Sequence, residues 1–285
     1  MPSLTTILVP VATLGGLGVV FGGLIAVARA HLHVWEDPRI AGVRELLPGT
    51  DCGACGQPGC FGFAQAVVSG EIEPAGCTVM GPDEKAHVAG FLGVDVGAAQ
   101  RRVARLLCAG GTHAAMQRAR YHGLQTCEAA AAVASGGKGC TWGCLGLADC
   151  ADVCDFDAIV MNDDSLPVVI PERCTACGDC VDVCPKELFT LMPEERQLLV
   201  QCRSELEGEE AEALCSVACT ACGKCAQDAS PGVIEMLSGL AVIDVARADE
   251  AGPEVTARCP TSAIVWIEDR QFAQAAPVAA QNAGT

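Results

Sequence analysis

The stretch CTACGDCVDVCP, residues 174–185, decides the fold of this chain. Three cysteines are separated by two residues each, and a fourth cysteine follows after three more residues, directly before a proline. This is the spacing of thiolates that hold an iron–sulfur cluster, with the last cysteine of the run serving a neighbouring cluster. The stretch therefore predicts two clusters held by a pair of related half-units.

Internal repeats extend this prediction along the chain. Four segments share a ligand position, a short turn and an apolar run: CDFDAIVM (154–161), CPKELFTL (184–191), ASPGVIEM (229–236) and CPTSAIVW (259–266). Bacterial two-cluster ferredoxins are built from two such halves, which exchange their last ligands. The four copies predict two tandem ferredoxin-like modules, over residues 140–190 and 191–270.

The exchange rule assigns the ligands of the first module. One predicted cluster is held by Cys174, Cys177, Cys180 and Cys154, and the other by Cys140, Cys144, Cys150 and Cys184. The second set includes the stretched run CTWGCLGLADCADVC (140–154), which has gaps of three and five residues. Extra loop residues of this kind alter the hydrogen bonding to the sulfurs and so the reduction potential.

The second module is predicted to hold a single cluster. Its ligands by the same rule are Cys219, Cys222, Cys225 and Cys259. The four positions that would hold a second cluster carry no cysteine: Ala229, Asp249, Gly252 and Val255. The loss of all four ligands indicates that this cluster was removed as a unit.

A further cysteine group precedes the repeats, in a unit predicted over residues 31–100. Cys52, Cys55, Cys60 and Cys77 have the spacing C-x2-C-x4-C-x16-C, and glycines at 53, 56 and 59 let the loop turn around a bulky core. Four cysteines also satisfy a structural zinc site, and the spacing alone does not exclude zinc. The neighbouring cluster motifs favour iron and sulfide, which gives four predicted [4Fe-4S] clusters in all.

The amino-terminal segment is apolar and uncharged from residue 4 to residue 28, long enough to span a bilayer. We predict a transmembrane anchor over residues 1–30. A signal peptide is the alternative, but no Lys or Arg precedes the run. Arg29, Arg39 and Arg44 follow it, which predicts that the remaining chain lies on the cytoplasmic side.

Composition excludes other classes of protein. The net charge is −17, which disfavours nucleic-acid binding and is compatible with steering towards a basic face of a partner. The 20 cysteines fall in tight runs, which suit thiolate ligation in a reducing compartment better than the disulfides of a secreted scaffold. No glycine-rich dinucleotide fingerprint follows a strand, so no nucleotide cofactor is predicted.

Four cysteines remain outside the predicted ligand sets: Cys108, Cys127, Cys202 and Cys215. They are interpreted as buried apolar side chains or free thiols, with redox or assembly roles as alternatives. A fifth cluster from these four would require their two segments to meet. Residues 101–139 are predicted to be a helical linker, and the low-complexity tail, 271–285, to be disordered.

Taken together, four features resemble the iron–sulfur electron-transfer subunit of the Rnf family: the anchor, DCGACGQPGC (51–60), GGKGCTWGCLGLADCADVCDFDAI (136–159) and ERCTACGDCVDVCP (172–185). Rnf complexes are membrane ferredoxin:NAD oxidoreductases that couple electron flow to ion transport. The resemblance implies an α+β chain in the bacterial inner membrane that relays electrons from reduced ferredoxin to other subunits, without a catalytic side chain. The alternative is an iron–sulfur redox sensor or cluster carrier.

Overall fold

The computed structural model describes residues 4–31, 37–98 and 100–272. Helix α1 (Leu4–His31) has 28 residues, and its stretch Val11–Ala28 has a mean hydropathy of 2.1 with its side chains exposed. At 1.5 Å per residue it is about 42 Å long, more than the ~30 Å of a hydrocarbon core. Within the described residues it is the one helix with the length and composition to cross a membrane.

Three helices form the first soluble unit: α2 (Pro38–Leu46), α3 (Gly59–Ser69) and α4 (Pro82–Leu92). Apolar residues recur every three or four positions in each helix, so that one face of each is buried. Val43, Phe63 and Val88 are among the most buried side chains and form the centre of this unit. Helix α3 ends at Gly70, which adopts the left-handed conformation that glycine tolerates best.

The second unit contains two antiparallel pairs of strands. Strand β1 (Arg102–Leu106) pairs with β4 (Phe189–Pro193), and β2 (Ile159–Met161) pairs with β3 (Pro167–Val169). Short helices lie between them: α5 (Cys127–Ala132), α6 (Asp149–Asp152) and α7 (Asp179–Asp182). The outermost strands of the unit are thus joined to each other, and the inner two form a hairpin.

The third unit repeats this pairing. Strand β5 (Leu198–Val200) pairs with β8 (Ile264–Trp266), and β6 (Ile234–Leu237) forms a hairpin with β7 (Leu240–Ile243). Its helices are α8 (Gly208–Leu214) and α9 (Lys224–Asp228). In place of a second ligand helix it has two 3-10 turns, Ala248–Glu250 and Pro253–Thr256, and Val255 is 1 % exposed in the core.

The segment predicted to be a helical linker differs from that prediction. Residues 102–106 form β1, and within 101–139 only Cys127–Ala132 is α-helical. Strand β1 forms because Val103, Ala104 and Leu106 are buried against the second unit, and β4 supplies its hydrogen-bond partner. The predicted disordered tail lies outside the described residues, except for Gln271 and Phe272.

Two contacts join the second and third units. Met192, Leu199 and Ile267 form a small buried cluster between them. The buried side chain of Gln271, which follows β8, accepts a hydrogen bond from the Leu106 N–H (2.9 Å) and donates one to the Leu106 carbonyl (2.6 Å). Because Leu106 ends β1, the end of the described chain is fixed to the start of the second unit.

Candidate iron–sulfur sites

The four cysteines of the first unit lie at one end of α3. Cys60 is in its first turn, and Cys77 follows the 3-10 turn Pro74–Gly76. The carboxylate of Asp51 accepts a hydrogen bond from the Cys60 N–H (2.6 Å), which closes the loop that carries Cys52 and Cys55. A Cβ on Gly59 would lie 2.7 Å from that carboxylate, so the loop needs a glycine there.

The geometry of Cys77 shows that this group is compact. Burial raises the pKa of the Cys77 thiol, and the nearby thiols of Cys55 and Cys52 raise it further, although two backbone N–H groups oppose the shift. These cysteines therefore lie close enough to interact, as the ligands of one cluster must.

In the second unit, one cavity is lined by the ligand set that the exchange rule predicts: Cys154, Cys174, Cys177 and Cys180. It holds about 340 Å³ of empty space, part of it open to solvent. Burial raises the pKa of Cys180 to about 12, and the other three thiols add to the shift. The N–H of Ala104 in β1 points at the Cys174 sulfur, at 3.5 Å.

The third unit contains a matching cavity of about 350 Å³, lined by Cys219, Cys222, Cys225 and Cys259. Burial raises the pKa of the Cys259 thiol, but the backbone N–H groups of Ile264, Thr261 and Ala263 outweigh it, and the net pKa is lowered. Hydrogen bonds of this kind favour the thiolate, which is the form that binds iron.

The remaining predicted set is not assembled as expected. Cys144, Cys150 and Cys184 line one cavity, of about 340 Å³, but its fourth cysteine is Cys127. Cys140 lines a different cavity, together with Cys108, Cys202 and Cys215. Sequence reasoning thus left out four cysteines that the structure places at cavities, and the signal that could have found them is their number, which completes five groups of four.

The cavities fit a cluster better than a single ion. In the parts of the chain that the structure describes, no three His, Cys, Asp or Glu side chains approach closely enough to hold one metal ion. A tetrahedral zinc needs four sulfurs at ~2.3 Å from one centre, whereas here the thiols surround an open space. Thiolate ligands, burial and N–H groups aimed at sulfur are the features that iron–sulfur clusters require.

Fold and sites together define an iron–sulfur protein of mixed helix and strand content. Comparison with known proteins agrees. A family model for an Fe-S cluster domain matches residues 47–79, and one for a 4Fe-4S binding domain matches residues 167–190.

Curated relatives give the particular family, and each is the component designated B of its complex. The one from the Na(+)-translocating ferredoxin:NAD(+) oxidoreductase complex of Acetobacterium woodii is 44 % identical over 76 % of this chain, and the match spans 65 % of that relative's length. The one from the ion-translocating oxidoreductase complex of Methanosarcina acetivorans is 34 % identical, over 89 % of this chain and 96 % of the relative. The proton-translocating counterpart of Clostridium ljungdahlii is 33 % identical, over 93 % and 94 %. This chain belongs to that family of ion-translocating oxidoreductase (Rnf) complex components, which confirms the resemblance.

Proposed function

We propose that this chain is the membrane-anchored electron-transfer subunit of an ion-translocating ferredoxin:NAD oxidoreductase. It accepts electrons from reduced ferredoxin and delivers them to other subunits of the complex. The iron–sulfur sites are those of the four cysteine groups predicted from the sequence. When bound, a [4Fe-4S] cluster takes up and releases one electron at a time, and the protein sets its potential through burial and hydrogen bonds to sulfur.

The observation that carries this proposal is that the candidate sites adjoin one another. Cys150 and Cys180 belong to different sites but to the same buried core, because α6 packs against α7. A groove between the first and second units has Met80 on one side and Cys174 on the other. A sensor needs one site, whereas a series of neighbouring sites is what a relay requires.

Helix α1 supports an attachment to the membrane. Its apolar side chains are exposed in the described part of the chain; Leu14 is 73 % exposed and Val19 is 76 % exposed. Exposure of so large an apolar surface is costly in water and is favourable in lipid. With the arginines that follow the apolar stretch, this places the soluble units on the cytoplasmic side of a bacterial inner membrane, in a single-pass arrangement.

The test is reduction by ferredoxin. Full-length protein, purified in detergent without oxygen, is mixed with reduced ferredoxin in a stopped-flow instrument, and the cluster absorbance is followed. We expect rapid bleaching that slows as salt is raised, since charged surfaces steer the encounter. Bleaching by dithionite but not by ferredoxin would overturn the proposal and favour the sensor or carrier function.

A metal analysis accompanies the kinetic test. We expect iron and acid-labile sulfide in equal amounts and less than one zinc per chain. One zinc for each chain, lost on substitution of Cys77, would assign zinc to the first unit and shorten the relay by one site.

A further inference from the structure

Four buried cysteines meet at the junction of the second and third units. The cavity there has about 400 Å³ of empty space, part of it open to solvent, and its cysteines are Cys108, Cys140, Cys202 and Cys215. Each of the four is between 7 % and 9 % exposed. Cys108 and Cys140 belong to the second unit, and Cys202 and Cys215 precede the ligand run of the third.

Backbone hydrogen bonds hold these distant segments together. The Met116 N–H donates to the Leu214 carbonyl at 2.8 Å, and the Ser216 N–H donates to the Ala114 carbonyl at 2.9 Å, so that Cys215 lies in a short bridge between chains of opposite direction. The Gly139 N–H donates to the Met116 carbonyl at 2.8 Å, which brings Cys140 to the same place.

Cys202 joins the group through another such contact. The N–H of Ala109 donates to the Gln201 carbonyl at 3.0 Å, and Ala109 and Gln201 are the direct neighbours of Cys108 and Cys202 in the chain. Cys108 and Cys202 are thereby held beside each other, although they belong to different units.

The surroundings of the cavity are those of a thiolate cluster. Backbone N–H groups of Cys144 and Ser204 point at the sulfurs of Cys108 and Cys202, both at 3.4 Å. A Cβ on Gly110 would lie 3.0 Å from the Cys215 sulfur, so the absence of a side chain there leaves room beside the thiols.

A buried cation lies at the same cavity. Lys138 is 8 % exposed, and its Nζ donates to the carbonyls of Gly110 and Cys144, at 2.5 Å each. Burial raises the pKa of Cys202 to about 11, and burial also raises the pKa of Cys140 and of Cys215. Four close buried thiols are unfavourable as free thiolates, and positively charged iron is what stabilises that form.

The neighbouring site has a full ligand set without Cys140. The carboxylate of Asp149 accepts hydrogen bonds from the N–H groups of Cys127 (2.8 Å) and Glu128 (3.2 Å). Asp149 directly precedes Cys150, so this contact holds Cys127 at the cavity of Cys144, Cys150 and Cys184.

We propose that the chain holds a fifth [4Fe-4S] cluster at the junction of the second and third units. Its ligands are Cys108, Cys140, Cys202 and Cys215. Cys127 replaces Cys140 as the fourth ligand of the cluster at Cys144, Cys150 and Cys184. All 20 cysteines then serve as ligands, four for each cluster.

The fifth cluster deepens the proposed function, and in this respect rests on it, because it lies between two other sites. On one side the sulfur of Cys108 accepts a hydrogen bond from the backbone of Cys144, and on the other the backbone N–H of Cys219 is hydrogen-bonded to the sulfur of Cys202. Without it, the cluster of the third unit would be separated from those of the second. With it, the sites form one continuous series.

The first measurement needs no variant. Full-length protein is reconstituted with iron and sulfide, without oxygen, until its metal content is constant. We expect about 20 iron and 20 sulfide per chain, five times the four of a single cluster. A plateau at about 16 of each would overturn the proposal.

Paired substitutions then identify the ligand sets. C202A/C215A is expected to lose about four iron, whereas two bystander thiols would cost none. C140A/C184A is expected to lose about eight iron, because the two residues serve different clusters. If Cys140 and Cys184 shared one cluster, as the spacing alone predicts, the loss would be about four. C140A/C202A is the matched control, with an expected loss of about four.

Serine variants keep the test decisive if alanine prevents folding. Serine oxygen is a weaker ligand, so C202S should retain its cluster with an altered electron paramagnetic resonance spectrum in the reduced state. An unchanged spectrum of C202S, with full iron content, would show that Cys202 is not a ligand. Iron content and ferredoxin bleaching are independent, so 20 iron without bleaching would refute the proposed function alone.

Discussion

Arg105 is the largest of the side chains that are almost fully buried, with 2 % exposure, and it lies on β1. Burial lowers its pKa, although Glu194 and Cys174 oppose the shift, and an arginine remains charged at neutral pH in any case. Its Nε and Nη1 have no hydrogen-bond partner in the described residues. A buried positive charge beside the site of Cys174 stabilises the extra electron of a reduced cluster, so Arg105 sets the potential there.

We predict that R105M lowers the reduction potential of the cluster at Cys154, Cys174, Cys177 and Cys180. The expected shift is on the order of 60 mV, a tenfold change in a one-electron equilibrium. A redox titration followed by electron paramagnetic resonance measures it. R173M is the matched control, because Arg173 is exposed and its charge is screened by water and salt. Equal shifts in both variants would contradict the role assigned to burial.

Residue spacing predicted some ligand sets and failed for others, for a physical reason. Cysteines within one tight run reach the same cluster because the loop is too short to do otherwise, and this gathers Cys174, Cys177 and Cys180. The ligand from the partner half follows from the pairing of two similar units. Cys127 and Cys140 have no such local constraint, since a hydrogen bond to Asp149 and contacts with the third unit decide their positions. Those contacts depend on the fold as a whole.

At the scale of elements, every sheet in the described residues has two strands, and the strands have three to five residues. Such pairs are marginal on their own, so they depend on the contacts that fix their ends. The repeated apolar runs predicted where β2, β6 and β8 lie. They did not predict β1, because its partner β4 is distant in the sequence and no repeat marks β1 itself.

The side chain of Gln271 provides one of these end contacts, and we predict that Q271A destabilises the protein by roughly 2–4 kcal/mol. The substitution leaves two buried backbone groups of Leu106 unpaired, each at a cost of about 1–3 kcal/mol. Chemical denaturation of the cluster-loaded protein, followed by circular dichroism, measures the loss. Q100A is the control, since Gln100 is exposed and its side chain bonds to Glu195 at the surface. A change below about 0.5 kcal/mol in Q271A would show that the contact does not hold β1 in place.

For the whole molecule, the first question is where α1 lies. We predict that V19D moves much of the protein from the membrane fraction to the soluble fraction, because an aspartate at the centre of a spanning helix costs about 2.5–3.5 kcal/mol. V245D introduces the same charge at an exposed residue of the third unit and should leave the distribution unchanged. Cell fractionation with an antibody against the chain measures both. Equal distributions of the two variants would argue that α1 does not span the membrane.

The second question is what the soluble units are built around. Each main core contains cysteines among its buried residues: Cys77 in the first unit, Cys150 and Cys180 in the second, and Cys219 and Cys225 in the third. With two-stranded sheets and short helices, few apolar contacts remain once the ligands are released. The clusters therefore act as the centres of the cores, and their binding energy is also folding energy.

We accordingly predict that removal of iron unfolds most of residues 102–272. Full-length protein in detergent, treated with an oxidant and a chelator, should lose its strand signal in circular dichroism and become sensitive to protease. Helix α1 should persist, because detergent and its own backbone hydrogen bonds stabilise it. Protein treated with the chelator alone, which keeps its iron, is the control. A cluster-free chain that remained resistant to protease would show that the apolar side chains hold these units together without the clusters.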